Sequence, residues 1–289
     1  MRDLRALGTA GALFYIFLWA SAYVPSKIGV IDSSPLWFLV VRFATAGVLL
    51  VLIARVRGDR YPATRRMWAI AVLLGVLSNA LYLGLTYEAL RRLSSGVGAI
   101  VASLNPLVLA LVAPFVLSES LGLRKVGGLA LGFGGVVAIM IVRTGSGTAR
   151  PADVALAFGG VIASVGGTLV FKRWCTASDP IPLAAVQFVA ASAVLLPFAV
   201  ALEGRPHAVL ALPIIVSFMY LVCVISVGAS LLWFWLLRHG EASRVSAYYF
   251  LTPVFGLALA ALLVHEQTGV RDLGGLAMIA IGIALVARG

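Results

Sequence analysis

Runs of about 20 predominantly apolar residues recur along this 289-residue chain, each long enough to cross a bilayer as a helix. The reading places spans near 10–28, 35–54, 68–88, 95–116 and 125–142, then near 153–172, 181–201, 211–236, 243–264 and 271–287. The fold class expected is an all-α polytopic membrane protein with ten transmembrane helices. The first run carries Trp19, Tyr23 and Lys27 in place of a small-residue cleavage site, so it reads as a retained helix.

Composition agrees. Hydrophobic residues make up 62% of the chain and charged ones 11%, against about 25% charged in soluble domains. The net charge of +11 would suggest nucleic acid in a soluble protein, but no basic stripe with interleaved aromatics is present. The basic residues instead sit in loops, where they set topology. Arg55, Arg57, Arg60, Arg65 and Arg66 crowd one connection. With Arg124, Lys125, Lys172, Arg173 and Arg238 they define a cytoplasmic side, leaving both termini inside and the protein in the cell (inner) membrane. Cys175 and Cys223 have neither metal-site nor disulfide spacing, and no cofactor is expected.

The chain repeats itself at an offset of 147 residues. Pro35-Leu36 falls on Pro182-Leu183, Arg91 on Arg238, and Leu104 and Pro106 on Leu251 and Pro253. Glu119, Gly122 and Arg124 fall on Glu266, Gly269 and Arg271, and Gly127-Gly128-Leu129-Ala130 falls on Gly274-Gly275-Leu276-Ala277. One gapless offset serves successive helices, dividing the chain into repeats 1–147 and 148–289. Each holds five predicted helices. An odd number forces the second copy to enter the membrane in the opposite sense, which is the inverted repeat of many secondary transporters.

With these features the chain resembles the drug/metabolite transporter superfamily, in its ten-helix branch of two EamA domains. The resemblance is carried by Trp19-Ala20-Ser21-Ala22-Tyr23, by Pro35 with Arg42, by Asn105-Pro106 with Ser118-Glu119, and by Thr252-Pro253 with His265-Glu266. Within the superfamily it is similar to bacterial metabolite exporters, including YddG-type exporters of aromatic amino acids. The resemblance implies a central cavity lined by helices one, three, four, six, eight and nine, with helices five and ten as peripheral braces.

Candidate site residues follow from polarity at membrane depth. Pro106 and Pro253 are expected mid-helix, where a proline frees the carbonyl four residues earlier and marks a gating break. Asn79 and Tyr82 share one helix face, and a buried amide near the midplane must face the bundle interior. Trp19 and Tyr23, then Tyr248, Tyr249 and Thr252, and Trp233 beside Ser226 and Ser230 supply rings and hydroxyls for an aromatic substrate. Ser103 and Asn105 flank Pro106, and Ser164 and Thr168 share a face, although such hydroxyls also bond their own backbone. Gln187 stands as a lesser candidate of the same kind. Lys27, Arg42 and Glu88 are the charged candidates. Trp37, Trp68 and Trp174 read as interfacial belt residues.

No Asp or Glu falls near the middle of a predicted span, which favours facilitated movement over proton coupling. The expected function is export of small metabolites, first of all aromatic and other neutral amino acids, by alternating access. Efflux of drugs or nucleotide-related metabolites is the second transport reading. An intramembrane enzyme lacks its motifs, since there is no H-E-x-x-H and no paired membrane aspartates. A scaffold lacks partner surfaces in loops this short. The expected partners are a small-molecule substrate and the bilayer, with no nucleic acid; the sequence leaves the oligomeric state open, a monomer included.

Overall fold

Helix boundaries here are set by proline and glycine. Pro35, Pro151 and Pro180 open helices at their first turn, where the missing N–H costs nothing. Gly58, at φ 70°, closes the helix begun at Pro35 in the left-handed conformation. Thr64 caps the next helix by accepting a hydrogen bond from the Met67 amide at 3.2 Å.

The computed structural model describes residues 2–22, 25–26, 33–93, 101–102, 104–120, 122–143, 150–207, 211–252, 254–255 and 270–288. In chain order the helices are α1 (Arg2–Ser21), α2 (Pro35–Arg57), α3 (Arg65–Leu90), α4 (Asn105–Leu117) and α5 (Leu123–Arg143). They continue as α6 (Pro151–Cys175), α7 (Pro180–Glu203), α8 (Leu212–His239), α9 (residues 242–251) and α10 (Val270–Arg288). Among the described residues five of them, α2, α3, α6, α7 and α8, are by length and composition able to cross a membrane. The expected spans one, four and ten contain the apolar stretches Gly8–Ser21, Asn105–Leu117 and Ala277–Val286. Large apolar side chains cover the outside, including Phe115 at 89% and Leu123 at 91% exposure, a surface suited to lipid and not to water.

One expectation is corrected. Pro106 is not mid-helix: α4 begins at Asn105, so Pro106 sits on its first turn and displaces no hydrogen bond. The apolar run over 95–116 hides this start because hydropathy does not register a turn. Among the described residues the prolines inside helices are instead Pro114 and Pro197.

Repeat-related helices pack on each other: α2 lies along α7 and α5 along α10. The α5–α10 seam is built from glycine. A Cβ on Gly128 would lie 2.6 Å from the Gly282 carbonyl oxygen, and one on Gly135 would lie 2.6 Å from that of Gly275. The offset carries Gly128 onto Gly275 and Gly135 onto Gly282, so the two contacts are the same contact made twice, reciprocally.

The repeat extends to an irregularity. α3 contains a π-helical turn over Val76–Leu81 and α8 one over Leu221–Ala229. These are equivalent stretches under the 147-residue offset. A third π turn, Phe171–Cys175, ends α6.

Candidate substrate chamber and its closed end

Two adjoining cavities lie between the helices, each with a free volume of about 70 Å³. A water needs about 10–15 Å³ of such space, so each accommodates several. The shallow chamber lies towards the end of the bundle where α3 finishes and α6 starts, and is lined by Ser26, Thr86, Leu90, Ala102 and Ala157. The deep chamber is lined by Ser78, Asn79, Ser164, Thr168, Gln187 and Ser226, among others. Trp19, Tyr82, Leu83, Ile225 and Arg42 border both.

The π turns position the deep polar groups. A π turn inserts a residue, rotates the face that follows it and is frequent at functional sites. Asn79 lies on the α3 turn and Ser226, its repeat equivalent, on the α8 turn. Both are buried, and both line the deep chamber.

Rings from four helices form one wall. Trp19 of α1 stacks near Tyr82 of α3, with centroids 6.1 Å apart and planes 13° apart. Tyr15, one turn before Trp19, stacks on Trp233 of α8 at 4.9 Å. Tyr249 of α9 meets Trp233 edge-on at 5.5 Å, and its hydroxyl bonds that of Tyr15 at 2.7 Å. Their repeat equivalents are Ile162, Gly166, Ala229 and Ala102 for Tyr15, Trp19, Tyr82 and Tyr249. The cage is therefore asymmetric although the helices that carry it are related.

The other sequence candidates divide. Asn105 donates to Ser164 Oγ at 3.0 Å and ties α4 to α6, while Thr168 donates to the Ser164 carbonyl at 3.1 Å. Thr252 is buried, and its hydroxyl has no hydrogen-bond partner among the described residues. Tyr248 and Thr252 do not border the two chambers. Glu88 sits at the end of α3, paired with Arg91 at 3.0 Å. Tyr23, Lys27, Ser103 and Pro253 lie outside the described residues. Sequence reasoning missed Tyr15 and Tyr87. Tyr15 had a signal, since it lies four residues before Trp19 on the same face.

Beyond Phe171 and Phe234, stacked at 4.6 Å, the far end of the bundle is tied shut by charge. Glu119, after α4, caps α9 by accepting from the Ala242 amide at 2.7 Å and the Ser243 amide at 3.2 Å. Lys125 of α5 is 1% exposed and donates to Glu241 at 2.7 Å and to the Ser120 carbonyl at 3.1 Å. Lys172, ending α6, donates to the Leu237 and Gly240 carbonyls at 2.6 Å each, which satisfies the end of α8. Burial pushes the Glu241 carboxyl up, but the hydrogen bond and charge of Lys125, with Arg244 and Lys172, outweigh it and hold it below the usual carboxylate range. At the opposite end Glu203 accepts from the Leu36 and Trp37 amides at 3.1 Å, capping α2 from the end of α7.

The comparisons agree with this architecture. The model of the EamA-like transporter family matches twice, over residues 6–141 and 152–288. The chain is 31% identical to the uncharacterized transporter YvbV of Bacillus subtilis, over 99% of this chain and 93% of that protein. It is 28% identical to the uncharacterized inner membrane transporter YedA of Escherichia coli, over 100% and 94% respectively. It is 26% identical to a chloroplastic WAT1-related protein of Arabidopsis thaliana, over 93% and 67%. A solved crystal structure superimposes with a TM-score of 0.80 at 18% identity, covering 99% of this chain and 96% of that one.

Proposed function

Because the chain belongs to the EamA-like transporter family, whose members carry small molecules through a lipid bilayer, we propose that it exports amino acids, aromatic and other neutral ones, by facilitated alternating access. The observation that carries this reading is the ring cage of Tyr15, Trp19, Tyr82, Trp233 and Tyr249 on the same chamber as Asn79. An apolar or aromatic side chain stacks on such rings, while a buried amide orients a polar end by hydrogen bonds.

The reciprocal glycine contacts support ten helices arranged as two inverted halves, 1–147 and 148–289. A parallel pair related by a twofold would set each glycine against its own equivalent. Here each meets the equivalent of the glycine seven residues away, as antiparallel packing requires. The end closed by Glu119, Lys125, Lys172 and Glu241 carries the greater share of basic loop residues and is assigned to the cytoplasm. Both termini then lie inside, in the inner membrane, and the conformation faces outward. Among the described residues no aspartate or glutamate lines either chamber, which supports an uncoupled carrier.

The test is uptake of labelled amino acids into proteoliposomes, with and without a pH gradient. Saturable uptake of phenylalanine without a gradient is expected. Uptake that appears only with a gradient would reject the uncoupled mechanism, and no uptake of any amino acid would reject the substrate class.

A further inference from the structure

Arg42 carries a charge for which the described residues provide no counter-ion. It lies on α2, is 3% exposed, and borders both chambers. Its Nε donates to Ser226 Oγ at 3.0 Å and one terminal nitrogen donates to the Tyr87 hydroxyl at 3.4 Å. Both acceptors are neutral. Among the described residues no carboxylate lies within ion-pair distance of it. A guanidinium has five N–H donors in a planar fork, and the two bonds named leave most of that fork without a protein partner among the described residues. A buried charge at membrane depth is costly unless paired.

A second group points to the same place. Gln187 of α7 is 2% exposed and, like Arg42, lines the deep chamber, and its Nε2 donor has no hydrogen-bond partner among the described residues. A buried amide donor left without an acceptor is costly. A cation and an unsatisfied amide donor on one chamber call for the same complement, an acceptor bearing negative charge. The shared architecture does not demand the arginine. Its repeat equivalent is Val189 on the outer face of α7, 45% exposed.

We propose that Arg42 and Gln187 form an anion site that takes the carboxylate of the transported molecule, so that substrate is the counter-ion the chamber lacks. This rests on the transport reading above and narrows it to molecules with a carboxylate at one end and, towards the ring cage, an apolar or aromatic body. Carboxylates match the guanidinium fork with two parallel bonds, so an acid is favoured over its amide at this site.

The experiment is calorimetric binding to the full-length protein in lipid nanodiscs, with L-phenylalanine, L-phenylalaninamide and 3-phenylpropionate as probes. Both acids are expected to bind, and the amide about tenfold or more weaker. Arg42→Gln is expected to abolish that difference, Arg42→Lys to keep it at reduced affinity, and Gln187→Leu to weaken the acids alone. Equal binding of acid and amide to the unaltered protein overturns the site whatever the variants do, and so does an acid preference that survives Arg42→Gln. Arg42-dependent binding of 3-phenylpropionate without binding of phenylalanine keeps the anion site and removes the amino-acid reading. Binding of phenylalanine and its amide alike does the reverse, and binding of neither acid overturns both.

Discussion

Asn79 illustrates how backbone geometry decides where one residue is placed. An asparagine in an ordinary helical turn has no particular claim on a cavity, but the π turn over Val76–Leu81 brings it onto the deep chamber. Replacing it by alanine removes one neutral hydrogen-bonding group, worth about 0.5–1.5 kcal/mol. Asn79→Ala is therefore expected to raise the KM for phenylalanine uptake roughly three- to tenfold with the thermal unfolding midpoint little changed. Tyr248→Phe, away from both chambers, is expected to leave uptake as it was. Equal effects of the two variants would remove Asn79 from the site. Much at this scale was legible in the sequence. Polarity at membrane depth is rare, so Asn79, Tyr82, Trp19 and Trp233 stood out. Tyr87 and the unpaired state of Gln187 did not, because helices that are apolar all round do not reveal which face turns inward.

At the scale of elements, glycine decides how closely helices approach. Gly127 and Gly128 are neighbours with opposite surroundings: a Cβ on Gly127 meets nothing within 4 Å, whereas one on Gly128 meets the Gly282 carbonyl. Overpacking of a tight seam costs about 1–3 kcal/mol, while alanine in an open helical position is about 1 kcal/mol better than glycine. Gly128→Ala is expected to lower the unfolding midpoint and Gly127→Ala to hold or raise it, as read by differential scanning fluorimetry in detergent. The repeated Gly-Gly-Leu-Ala run marked equivalent positions of the two helices in the sequence, but neither that the helices meet nor which glycine of each pair is buried. The start of α4 was the harder feature. Pro106 reads as a kink within a long apolar run, yet it is a helix start.

For the whole molecule, the two ends of the bundle differ in what holds them. The closed end depends on Glu241 being ionised. Its carboxyl is held below the ordinary range, so its contribution is present above the unfolded value of about 4.3 and is lost as pH falls through the lower folded value. The stability difference between the protein and its Glu241→Gln variant is expected to be constant near neutrality and to vanish as pH drops below about 4. A difference that grew on acidification would contradict the ion pairing. Sidedness has its own test. In a background lacking Cys175 and Cys223, Ala102→Cys is expected to react with a membrane-impermeant thiol reagent added from the periplasmic side. Leu237→Cys, at a position 0% exposed, is the buried control expected to stay unlabelled, and labelling of Ala102→Cys only from the cytoplasmic side would invert the assigned orientation.

The reciprocity of the glycine seam reaches further than packing. A pair of contacts that maps onto itself when the two halves are exchanged belongs equally to both conformations of a carrier whose halves trade shapes. Gly128 against Gly282 and Gly135 against Gly275 are such a pair, so the α5–α10 seam can serve as an axle that stays made while the rest turns. Contacts off that axle have no such exemption. In the alternating access proposed above, Glu119 on the α9 amides would have to let go for the closed end to open, and the barrier to transport would be set by what is broken there and by what replaces it at the other end.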